Sequence, residues 1–157
     1  MAEAGRRAVV VVAALAVAAG AGCGGSGSSR LSKSEYEQKL KAEGAELRSV
    51  FSGVSLQGGN LKTLATQMGR LQDKIEKTAN DLDQLRPPKD AEADNKKIAG
   101  ALHRFADLFA KIKSAAASGN AKAVESLTRA VQAAGAIGTQ ATLDLKQKGY
   151  DVGVFSG

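Results

Sequence analysis

The chain has 157 residues, with 22 Lys and Arg against 16 Asp and Glu, a formal net charge of +6, one cysteine and one histidine. That stock excludes a zinc site built on His and Cys, which takes three or four such ligands, and leaves no second cysteine for a disulfide. An aromatic content of 4% and mild basicity argue against nucleic acid and favour anionic lipid or anionic wall polymer as a neighbour.

The first segment reads as an export signal. Arg6 and Arg7 give a positive start, residues 8–19 are apolar and uncharged, and Gly20-Ala21-Gly22 leads to Cys23, the only cysteine. Basic, apolar and small segments in that order are the layout of a secretory signal peptide. The apolar run is shorter than the roughly 20 residues needed to cross a bilayer core, so it is expected to be removed rather than to anchor. A thiol at the cut site is what lipid transfer requires, because the thioether forms on sulfur. Ala21-Gly22-Cys23 resembles the lipobox of bacterial lipoproteins, with Gly20 standing where Leu is usual. Residues 1–22 are therefore expected to be a lipoprotein signal peptide and Cys23 to carry the lipid, palmitate or a similar acyl chain. Several acyl chains anchor stably because each buried methylene contributes about 0.8 kcal/mol. Without Arg6, Arg7 and Glu3 the mature chain carries about +5.

Residues 23–33 form the lipidated cysteine and a Gly/Ser tether with no core-forming side chain until Leu31. Four helices are predicted after it. The first spans 34–56, opened by a capping box of Ser32 and Glu35, with Tyr36, Leu40, Leu47, Val50, Phe51 and Val54 on its apolar face. Gly58-Gly59 ends it, and Asn60 caps the next helix. That second helix, 61–85, has Leu61, Leu64, Met68, Leu71, Ile75, Leu82 and Leu85 in a three-four rhythm, with Thr78 at the missing step. Pro87-Pro88 stops it. The third helix is expected to begin directly after, with proline in its first turn, and to run to 117 over Ile98, Leu102, Phe105, Leu108, Phe109 and Ile112. Gly119 ends it and Asn120 caps the fourth, 121–148, whose stripe is Val124, Leu127, Val131, Ile137, Ala141 and Leu145. Gly135 and Gly138 interrupt that helix at about 1 kcal/mol each relative to Ala, through a bend or a close approach to a neighbour. Residues 150–157 form a tail whose Tyr150, Val152, Val154 and Phe155 are placed to fold back. Helices of this length with short turns pack as an all-α, antiparallel, up-down four-helix bundle, residues 34–149.

No catalytic signature accompanies this pattern, and an enzyme is not expected. The bundle-type di-iron motif needs Glu three residues before His, and Gly100 stands there before His103. His103 reads as a surface or boundary residue one helical turn from Asp107. There is no phosphate loop, dinucleotide fingerprint or nucleophile elbow, and no cofactor is expected. Glu43 falls near the core stripe of the first helix, either as a buried acid or as one snorkelling at the bundle edge. Lys97, Arg104 and Lys111 recur every seven residues on the third helix, and Lys122 and Arg129 on the fourth. Each set lies along one edge, a candidate contact with an anionic surface beside the plainer reading of a solvated face.

The signal ending at Ala21-Gly22-Cys23, the Gly/Ser tether, Leu82-Asp83-Gln84-Leu85-Arg86-Pro87-Pro88 and the closing Leu145-Lys146-Gln147-Lys148-Gly149-Tyr150 carry a further resemblance. The whole layout resembles the small helical lipoproteins of high-GC Gram-positive bacteria. The resemblance implies a helical bundle on the extracytoplasmic face of the membrane and brings no activity or site residues. Two functions follow as expectations. One is a non-catalytic binding or structural module of the cell envelope, facing an envelope protein or anionic wall polymer. The other is a carrier of a lipid or other apolar ligand in the bundle core, which requires a cavity of several hundred Å³ lined by Leu and Phe.

Overall fold

The computed structural model describes residues 29–53 and 60–153. It is an all-α bundle of four helices: α1 (Lys33–Ser52), α2 (Leu61–Gln84), α3 (Glu92–Ala117) and α4 (Ala121–Gln147). Among the described residues there is no strand and no helix long and apolar enough to cross a membrane. Cys23, the Gly58-Gly59 turn and the ends of the predicted stripes at Val54, Val154 and Phe155 lie outside the described residues.

Local chemistry sets the helix starts. The Glu35 N–H donates to Ser32 Oγ while Glu35 Oε2 accepts from the Ser32 N–H, a complete capping box. Asn60 and Asn120 each accept, through Oδ1, the backbone N–H three residues on, from Thr63 and Ala123. Gly119 and Gly149 take left-handed φ values of 75° and 80° after α3 and α4, which only glycine adopts without strain. α1 ends at Ser52, before the predicted 56. α3 begins at Glu92, later than the prolines suggested: Pro87 and Pro88 stay outside it, and the Pro88 carbonyl accepts the Ala91 N–H in the turn that precedes the helix.

Cross-helix contacts fix the register as antiparallel. Glu43 meets Thr78 between α1 and α2, the Asn95 side chain reaches the Leu82 carbonyl between α2 and α3, and Gly138 lies over Ala101 between α3 and α4. Tyr36, Leu40, Ile75, Leu82, Ala99, Ala141 and Leu145 are at the centre of the core, each nearly or fully buried. Ile137 departs from its predicted inward position: it is 43% exposed, and the neighbouring Gly138 holds the inner place against α3. Thr78, the odd member of the α2 stripe, is fully buried and spends its hydroxyl on Glu43.

The helices do not share the packing evenly. α2, α3 and α4 pack extensively on their chain neighbours, while α1 leans lightly on α2 and has no comparable seam with α4. The two ends of the bundle therefore differ. The base, where the tether enters, holds the start of α1, the end of α2, the start of α3 and the end of α4. The upper end holds the opposite termini.

Candidate functional site

The base is tied together by polar side chains, beside a polar cavity of about 340 Å³ bordered by Arg30, Asp83, Arg86 and Glu92. Tyr36 Oη donates to Asn95 Oδ1 at 3.1 Å, and Asn95 Nδ2 donates to the Leu82 carbonyl at 2.8 Å. Asp94 is 2% exposed and accepts from Lys148 at 2.6 Å and from Lys97 at 3.3 Å. Tyr150 Oη donates to Asp90 at 2.8 Å, its ring meets Tyr36 edge to face at 5.7 Å, and Lys33 lies over its other side. Val152 is buried, and Asp151 ties the tail to Lys41 and Glu37 of α1. The fold-back expected of Tyr150 and Val152 is thus realised. At the other margin, the Leu31 N–H donates to the Arg86 carbonyl and Arg30 reaches Pro87 and Glu92.

This network shifts its own titrations. Burial, then the nearby Asp94 charge, raises the Tyr36 phenol far above its ordinary value. Burial and the Asp90 bond push Tyr150 up to about 12. Asp94 raises Lys97, and a hydrogen bond from Gln140, followed by Lys97, lowers Asp144. Each shift favours the protonation state that the folded base uses.

Among the described residues no comparable polar network joins the upper end. Between positions 121 and 140 no residue of α4 is buried, whereas Ala141, Thr142 and Leu145 are. Two adjoining apolar cavities open there. One, of about 530 Å³, lies between α1, α3 and α4 and is walled by Leu47, Phe51, Leu102, Phe105, Phe109 and Val131. The other, of about 350 Å³, runs on between α2, α3 and α4 over Leu64, Met68, Leu71, Ile112 and Val124. Phe51, Phe109 and Val131 line both, so the two lobes share a wall and together form a bipartite cleft. Phe105 stacks on Phe109 at 6.4 Å between centroids, and Phe51 tilts over Phe109 at 6.3 Å while remaining 47% exposed. Leu64, Val124, Leu127 and Val131 pack on the core only in part. Volume and lining both match those of small-ligand sites, about 300–1,000 Å³ and mainly apolar.

The glycines of α4 have separate roles here. Gly138 brings the backbone against Ala101, where an added Cβ would stand 3.4 Å from the alanine methyl. Gly135 lines the first lobe, and a Cβ there would stand 3.8 Å from Phe105.

The sequence-predicted charged residues are dispersed. Lys97 bridges Asp94 and Asp144, so it joins α3 to α4 rather than standing free. Arg129 pairs with Glu125 one turn earlier at 3.5 Å. Arg104, Lys111 and Lys122 are exposed. His103 bonds Asp83 of α2 at 2.8 Å, a contact across the α2–α3 seam in place of the expected one with Asp107. Glu43 is half-buried at the α1–α2 edge and accepts the Thr78 hydroxyl, so it is a satisfied boundary acid. Among the described residues no three His, Cys, Asp or Glu side chains gather in a way that suits a metal ion.

Arg48 is the residue that helical periodicity does not single out. It is exposed, it borders the larger lobe, and among the described residues it is the one charged side chain lining either lobe. Its signal in the sequence is faint: an arginine between Leu47 and Phe51 on the core edge of α1.

No protein family, no curated protein and no solved structure matches the chain.

Proposed function

We propose that this chain is an extracytoplasmic lipoprotein, anchored through lipid on Cys23, whose bundle holds one apolar chain in the upper cleft. Of the two functions expected from the sequence, the carrier is favoured by one observation: two adjoining lobes lined by Leu, Phe and Val, where the described part of α1 makes little contact with α4. A tightly packed core would have argued the other way. The base and its tail act as the clamp that lets the upper end stay open.

The protein's own anchor is within reach of the cleft only by leaving the bilayer. Cys23 to Ser29 reaches about 20 Å at most when extended. The chain enters at the base, and the cleft begins at Gly44 and ends near Phe51, about 17 to 27 Å up α1 from Lys33 at 1.5 Å per residue. An anchor acyl chain would have to leave the bilayer and climb the helix to fill it. Filling the cleft with a separate alkyl chain covers Phe51, Leu64, Val124 and Val131 at about 25 cal/mol per Å² of apolar surface.

Native mass spectrometry of the mature Cys23→Ser protein, incubated with a membrane lipid extract, tests the carrier reading. One alkyl-chain ligand per protein is expected; a protein that emerges bare counts against it. Mass analysis of the mature N-terminus of the wild-type protein tests the anchor. A diacylated Cys23 is expected, and an unmodified cysteine or a cut elsewhere removes that part of the proposal.

A contact with anionic wall polymer is a second reading, favoured by the exposure of Arg104, Lys111 and Lys122. Reversal of all three to Glu is expected to abolish co-sedimentation with purified cell wall. Retained co-sedimentation would end that reading without touching the cleft.

A further inference from the structure

We infer that the occupant of the cleft is a single-chain anionic amphiphile, an alkyl chain ending in a carboxylate or phosphate, and that Arg48 binds its head. This deepens the carrier reading and rests on it. Both lobes are apolar, and among the described residues lining them Arg48 is the only charged one. No carboxylate of the described residues occupies it. The acids nearest in sequence are committed elsewhere: Glu43 accepts from Thr78, and Glu46 pairs with Lys74 of α2. Gln132 on the opposite wall adds an amide whose N–H groups donate to an anion. A guanidinium presents a fork of donors that matches a carboxylate or phosphate, so the cleft mouth is complementary to either head.

The shape argues for one chain rather than a partner helix. The cleft follows α3 from Leu102 to Ile112, about 15 Å at 1.5 Å per residue, with Phe51, Phe109 and Val131 shared between its lobes. A helix with side chains, about 10–12 Å across, fills more than about 1,000 Å³ over that length, which exceeds the lobes of about 530 and 350 Å³ taken together; an extended alkyl chain fits them. The head then rests at the Arg48 side and the tail runs past Phe51 and Val131 into the lobe under Leu64 and Val124.

Dodecanoate, dodecyl phosphate and dodecanol separate the head from the tail. Titration into the mature Cys23→Ser protein, followed by displacement of a fluorescent fatty-acid probe, is expected to show both anions binding more tightly than the alcohol. Arg48→Glu is expected to weaken both anions about tenfold or more, the scale of one lost charge-assisted hydrogen bond, and to leave dodecanol unchanged. Arg48 is exposed, so the variant keeps its thermal transition. Lys89→Glu, an equal charge reversal in the turn at the base, is expected to change none of the three affinities.

If dodecanol binds and Arg48→Glu affects all three ligands alike, or none, the head-group assignment fails while the carrier reading stands. If none of the three binds wild type, both fail. If the lipidated wild-type chain, unlike Cys23→Ser, excludes all three, its own anchor is the occupant and the inference is overturned. A stable dimer of the Cys23→Ser protein that dodecanoate does not dissociate would overturn it in favour of a second copy.

Discussion

At the base, Tyr36, Asn95, Asp94 and Tyr150 connect α1, α3 and the tail through directed hydrogen bonds and ion pairs. At the upper end, Phe51, Leu64 and Val131 meet only as apolar surfaces, and they leave a cleft among them. Two kinds of contact thus hold the two ends of one bundle. Directed bonds fix the helix ends in one geometry, because a buried polar group left unpaired is costly. Undirected apolar contact at the other end accepts a ligand as readily as a neighbouring helix. A substitution at the base should therefore move stability, and one at the upper end should move binding.

The largest effect expected is at the base. Leu40→Ala, at a fully buried position, should cost about 2–5 kcal/mol, read from urea unfolding. Phe51→Ala at the upper end, where the ring is 47% exposed, should cost under about 1 kcal/mol. Equal losses would erase the distinction between the ends. Next comes Val131→Asp, which puts a carboxylate in the wall shared by both lobes. It should weaken dodecanoate binding more than about tenfold with little change in the thermal midpoint; a collapse of the fold would show that the cleft wall is part of the core.

Tyr150→Phe removes the bond to Asp90 and should cost about 1 kcal/mol without altering ligand affinity. The same tyrosine gives a pH dependence. Its folded pKa of about 12 lies above the ordinary phenol value. Its contribution is thus full below about pH 10 and lost as pH rises through 12. The chain has two tyrosines, both at the base. Tyrosinate absorbance therefore reports on that end alone and should rise together with unfolding; a rise at ordinary pH values, with the helix signal intact, would show the base to be open. The smallest effect is a gain. Gly135→Ala meets Phe105 at ordinary contact distance and should stabilise the protein by up to about 1 kcal/mol.

Much of the fold was legible because its causes are local. The three-four rhythm of α2 survives intact, down to Thr78 in the missing step, since helical periodicity alone decides which side faces inward. The caps at Ser32, Asn60 and Asn120 follow from side chains one turn from the N–H groups that they accept. The start of α3 was not legible, because prolines end a helix more firmly than they begin one, and Ala91 needed its bond to the Pro88 carbonyl to begin the turn. Ile137 reads as core by spacing, yet Gly138 takes its place because only a small residue allows α4 to approach Ala101. The cleft was not legible either. Phe51 and Val131 carry the same apolar signal whether a helix or a ligand covers them, and only the position of α1 tells the two apart. Arg48 gains its meaning from what surrounds it, which no spacing rule records. Lys97 shows the converse: a regular seven-residue repeat drew it into a surface strip, while the buried Asp94, three residues before it in α3, claims it.

Binding of an apolar chain at the upper end, with the base unchanged, is read by an NMR titration of the mature Cys23→Ser protein with dodecanoate, following assigned amide and methyl signals. Saturable shifts are expected at Leu47, Phe51, Leu64, Phe109 and Val131, with Tyr36, Leu82, Leu145 and Tyr150 unmoved. Shifts centred on the base, or none that saturate, would contradict binding at the upper end.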